Sequence, residues 1–144
     1  MPSTRNRVPN QTSDEINFRI QCETERRVRH FEQHREGIPR RLRELDEEWD
    51  IERAIEANAS TLALVGVALG ATSDRRWLVL PALVAGFLLQ HSVQGWCPPV
   101  PVLRRLGFRT ADEIGEERQA LKALRGDYAN SSLGSDEAIK AARA

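Results

Sequence analysis

Residues 77–103 read WLVLPALVAGFLLQHSVQGWCPPVPVL, 27 consecutive positions without Asp, Glu, Lys or Arg. Just upstream, across Asp74-Arg75-Arg76, residues 57–73 read ANASTLALVGVALGATS, another 17 uncharged positions. A bilayer's hydrocarbon core takes roughly 17–25 predominantly apolar residues in a helix. The second run clears that range and the first sits at its lower edge. The five Leu and Val of the first run contribute about −2 kcal/mol to insertion, and the nine Leu, Val and Phe within 77–97 of the second about −4. The first run is therefore marginal alone, and the pair is expected to insert together as a hairpin. The competing reading is a soluble bundle with two core helices. It calls for a polar face on each helix, but 62–71 and 78–89 are oily all round.

The rest of the chain is built differently. Residues 1–56 hold 24 charges, 11 basic and 13 acidic, whereas 57–103 hold three. Over all 144 residues, 21 basic side chains balance 21 acidic ones, which leaves no overall field to attract nucleic acid. Two cysteines 75 positions apart do not make a disulfide framework, and no secretory signal is evident before the first apolar run. Of the basic residues 19 are Arg and two Lys, a usage that suggests a GC-rich bacterial genome.

The polar arm, 1–56, is predicted as two helices, about 13–36 and 39–56. Thr12 and Glu15 have capping-box spacing, Gly37 suits a left-handed helix end, and Pro39 opens the second helix. Ile16, Ile20, Val28 and Phe31 mark a thin stripe on the first; Ile38, Leu42, Leu45 and Trp49 mark a fuller one on the second. In the hairpin segment, 57–103, the spans are expected at about 57–73 and 77–97, followed by a short interfacial piece. Residues 104–126 are expected to be an amphipathic helix region opened by a Thr110–Glu113 capping box, with Ile114, Leu121 and Leu124 on one face. Residues 127–144 read as a loose tail. The fold class is thus all-α: a two-helix membrane hairpin with a helical N-terminal cytoplasmic arm and an amphipathic C-terminal helix.

Gly66 and Gly70, and Ala82 and Gly86, have the small-xxx-small spacing that lets helix backbones approach in lipid. They serve contacts within the hairpin or between chains; the spacing does not distinguish these. Gln90, His91 and Gln94 form a polar cluster where the second span leaves the bilayer, with Gln90, Gln94 and Cys97 on one helical face. Trp77 and Trp96 mark the two interfaces. Past Pro98 and Pro99, Val100, Leu103 and Leu106 would face the lipid and Arg104 and Arg105 the water. Seven arginines flank the hairpin (Arg40, Arg41, Arg43, Arg53, Arg104, Arg105, Arg109) against Arg75 and Arg76 in its loop, which predicts both termini in the cytoplasm.

GFLLQHSVQGWCPPVPVLRRLG, preceded by IERAIEANAS and followed by RTADEIGEERQALKALRGD, resembles the YgaP-like transmembrane domain family. The resemblance covers roughly Trp49 to Tyr128, and Gly95-Trp96-Cys97-Pro98 is its most specific block. It implies a two-span bacterial inner-membrane module of otherwise unknown function, able to dimerise, found alone or behind a rhodanese domain, and without established catalytic residues. The rhodanese pattern Cys-x-x-Gly-x-Arg is not met: Cys22 and Arg27 have its spacing, but Glu25 stands at the glycine.

No catalytic constellation, cofactor site or metal site is predicted. His30 and His34 have i, i+4 spacing without a third ligand, and read as a solvated face. Cys97 is the one candidate reactive thiol. The expected function is a non-enzymatic two-pass membrane protein of the bacterial inner membrane: a homo-oligomeric scaffold or interaction module whose partners are the lipid bilayer and its own copies, not nucleic acid. The alternative is a membrane partner in sulfur or thiol-redox chemistry acting through Cys97, with a sulfurtransferase as its counterpart.

Overall fold

The computed structural model describes residues 6–128, and among them every regular element is helical. In chain order these are α1 (Arg7–Asn10), α2 (Asp14–Gln33), α3 (Ile38–Glu47), α4 (Ile51–Thr72), α5 (Val79–Gln94), α6 (Val100–Arg105) and α7 (Ala111–Arg125). Single 3₁₀ turns at Arg35–Gly37 and Arg75–Leu78 lead into α3 and α5. The expected tail lies outside the described residues beyond Tyr128.

The arm departs from expectation at both ends. Thr12 does not cap α2: Ser13 occupies that position, and the Thr12 hydroxyl donates to the Val8 carbonyl at 2.8 Å. Gly37 has φ −81°, in the right-handed region, so α2 ends without a left-handed glycine. The helix expected over 39–56 breaks at residues 48–50. Glu48 is extended (ψ 129°), and the Asp50 carboxylate caps a new helix by accepting from the Arg53 amide at 2.7 Å. α4 therefore starts six residues before Ala57 and runs without interruption into the apolar segment.

α4 and α5 form the hairpin, and both are long and apolar enough to cross a membrane. Gly66 and Gly70 sit where α4 meets the start of α5. A Cβ at Gly66 would stand 2.6 Å from Pro81 Cδ, and one at Gly70 the same distance from Leu78 Cδ2. Below the hairpin the described residues make two separate apolar cores. One gathers Val8, Ile51, Ile55, Cys97 and Val100, with Leu88, Leu103 and Phe108 against it, and closes the hairpin's base. The other joins α2, α3 and α7 through Ile38, Leu42, Leu45, Ile114 and Leu121, flanked by Phe31 and Leu124. Full burial of side chains such as Ile51 and Val100 contributes on the order of 1.5–3 kcal/mol each. Trp49, expected to extend the α3 stripe, is exposed instead, with the Arg53 guanidinium 4.6 Å above its ring.

Candidate functional site

Among the described residues, chemistry-bearing side chains collect at the base of the hairpin and in a charged seam beneath it. At the base, α5 ends at Gln94, and Gly95 takes the left-handed capping conformation (φ 78°), its amide donating to the His91 carbonyl at 2.7 Å. The chain turns there because only glycine fits. A Cβ at Gly95 would lie 2.5 Å from Arg7 Cβ and 2.6 Å from the Arg7 carbonyl carbon. The N-terminal segment is thus strapped across the hairpin's lower end.

This turn separates the residues expected on one helical face. Cys97 lies beyond the helix, 2% exposed, among Val8, Ile51, Ile55 and Val100. Gln90 is half-buried and Gln94 exposed. His91 is buried, and its Nδ1 has no hydrogen-bond partner among the described residues. Trp96 is half-buried, whereas Trp77 is exposed at the far end of the hairpin. Of the small residues, Gly66 and Gly70 meet α5 and its leading turn, while Ala82 is exposed and the space beside Gly86 is open. The His30 and His34 rings stack at 4.4 Å on the surface, and among the described residues no group of three or more His, Cys, Asp and Glu is placed to hold a metal ion.

The charged seam was not anticipated. Glu117 is fully buried on α7, between Ile114 and Leu121. Its carboxylate accepts from Arg41 Nε at 2.8 Å, Arg27 Nε at 3.1 Å and Arg109 Nη1 at 2.5 Å. Arg109 also donates both Nε and Nη2 to Glu48, at 2.8 and 2.7 Å, in the planar two-bond geometry that suits guanidinium and carboxylate. Arg109's carbonyl in turn accepts from the Ile51 amide at 2.9 Å, so the seam is joined to the first residue of α4. A second fork lies beside it. Arg104, fully buried, donates to both Glu113 oxygens at 2.6 and 2.8 Å and to Asn17 Oδ1 at 2.8 Å. Glu113 also completes the capping box with Thr110. The expected orientation of α6 is therefore corrected at three positions: Arg104 points into the protein, not to water, and Val100 and Leu103 pack inward rather than on the outer face.

Burial alone would raise the Glu117 carboxyl, but hydrogen bonds from Arg41 and Arg109 and the charge of Arg27 outweigh it and hold it below its ordinary value. Glu113 is held low in the same way, against burial, by Arg104 and Thr110. Both carboxylates are thus ionised and engaged by donors. Such groups make poor general bases, and the seam reads as a latch between α2, α3, α7 and the base of α4.

Comparison with known protein families, curated proteins and solved structures finds no match to this chain.

Proposed function

We propose that the protein is a two-pass inner-membrane protein in which α4 and α5 cross the bilayer and α1–α3, α6 and α7 form a folded unit on the cytoplasmic face. The observation that carries the reading is where the apolar surface lies. Only 6% of the most apolar stretch of the second span is buried within the protein, and Leu64, Leu83, Leu89 and Val93 are all more than half exposed. A core helix of a soluble bundle would have that surface covered by other helices. Lipid supplies the missing cover at no cost in exposed hydrocarbon. The unit beneath has its own core and a charged exterior, as a water-facing domain requires.

The cytoplasmic placement follows the excess of arginines on that side of the hairpin. The biochemical role we assign is that of a non-enzymatic scaffold that assembles with its own copies. The outward-facing Ala82 and Gly86 of α5 favour such assembly, since small residues allow close helix approach between chains. The likeness to YgaP-like modules belongs to this proposal and rests on the residues quoted for it. A thiol-based role for Cys97 is disfavoured by the burial of its side chain. Alkaline carbonate extraction of membranes from cells expressing the full chain tests the reading. The protein is expected in the pellet, and release into the supernatant would refute it.

A further inference from the structure

We infer that the outer face of α6 and the first turns of α2 form a second lipid-contact surface, which rests on an anionic leaflet beside the hairpin. The inference depends on α4 and α5 spanning the bilayer, and goes beyond it. Val102 on α6 and Leu106, which caps its end, lie one turn apart, linked by the Leu106 amide to the Val102 carbonyl, and are 57% and 71% exposed. Val100 and Leu103, on the opposite face, pack into the hairpin's base. Arg19 of α2 donates to the Arg105 carbonyl at 3.0 Å, and Phe18, its neighbour on α2, is 68% exposed. Phe18, Arg19, Arg26 and Arg105 line one shallow groove there, together with Glu15 and Glu23, so cations outnumber carboxylates along it.

Depth identifies the occupant. Val100 packs beside Ile51 and Ile55, which precede Ala57 by six and two residues. At about 1.5 Å per residue, α6 therefore lies about 3–9 Å outside the apolar run. The headgroup layer extends roughly 5–8 Å beyond each side of the hydrocarbon core. Exposed side chains at that level are surrounded by headgroups, where apolar residues reach the acyl boundary and arginines meet lipid phosphates.

The test places a bimane label at Leu106→Cys, Leu64→Cys or Arg40→Cys in the full chain with Cys22→Ser and Cys97→Ser. Each is reconstituted in phosphatidylcholine vesicles with or without phosphatidylglycerol, and quenched by brominated phospholipid or aqueous iodide. Leu64 reports the spanning helix itself, and Arg40 the exposed surface of α3. The label at 106 should be quenched by brominated lipid at least about twofold more than that at 40, more strongly with phosphatidylglycerol, and Arg19→Gln with Arg105→Gln should abolish the difference between the two compositions. Lipid quenching at 64 with free iodide access at 106 would overturn this inference alone. Shielding of 106 from both quenchers would show that protein covers the face, and also overturn it. Equal lipid quenching of 106 in both compositions would overturn the anionic preference. No lipid quenching at 64 would overturn the spanning reading and this one together.

Discussion

Glu117 occupies the one turn of α7 where the apolar stripe Ile114, Leu121, Leu124 is interrupted. A carboxylate at such a position is stable only when its charge is met, and Arg27, Arg41 and Arg109 meet it. Removing the charge would leave three guanidinium groups facing a neutral amide. Glu117→Gln should destabilise the α2–α3–α7 unit by about 3–5 kcal/mol, read as denaturant unfolding of the full chain in detergent. A midpoint equal to that of the unaltered protein would show that the seam contributes little. The interrupted stripe was a signal available in the sequence, but its partners lie 90, 76 and 8 residues away. Arg104 and Arg109 look in sequence like any arginines flanking a span, and only the tertiary fold shows them engaged with Glu113, Glu48 and Glu117. Cys97 shows the same limit: its place at the end of an apolar run was legible, its position beyond α5 and its packing with Val8 were not. A polar maleimide should therefore label exposed Cys22 well before Cys97 in native membranes, and Cys97→Ser should leave insertion unchanged. Faster labelling of Cys97 would restore the thiol reading.

At the scale of elements, the apolar runs were legible because 17 and 27 uncharged residues leave few alternatives to long helices. The start of α4 was not, because it depends on one capping carboxylate, Asp50, and on Glu48 being drawn into an extended backbone beside Arg109. The hairpin's closeness depends on Gly66, whose missing side chain admits Pro81 and Leu80. Gly66→Leu should force α4 and α5 apart and lower the thermal stability of the detergent-solubilised protein. Gly86→Leu, which enters open space, should leave that stability unchanged and instead reduce crosslinked dimer. The opposite pattern would exchange the roles assigned to the two glycines. Gly95→Ala meets both a left-handed backbone and the Arg7 main chain, so a loss on the order of 1–3 kcal/mol is expected in the same melt. An unchanged melt would show that α1 is not fixed across the hairpin's base.

At the scale of the described fold, the hairpin presents its apolar surface outward and the charged unit draws Arg104, Arg109 and Glu117 inward, with α1 and the Ile51–Arg109 backbone bond joining the two. Because the folded-state values of Glu113 and Glu117 lie below the ordinary 4.5, their contribution to stability is complete above that pH and is lost as pH falls through the lowered values. The α2–α3–α7 unit should thus unfold in acid below about pH 4.5 while the hairpin helices, whose apolar stretch carries no such carboxylate, persist. The central claim is that the two helices cross the bilayer, and topology tests it most directly. Paired reporters active on only one side of the membrane are fused within the loop at Asp74 and after Ala144. The account predicts that the loop reporter is active outside the cytoplasm and the C-terminal reporter inside it. Cytoplasmic activity at both positions would contradict the crossing of α4 and α5.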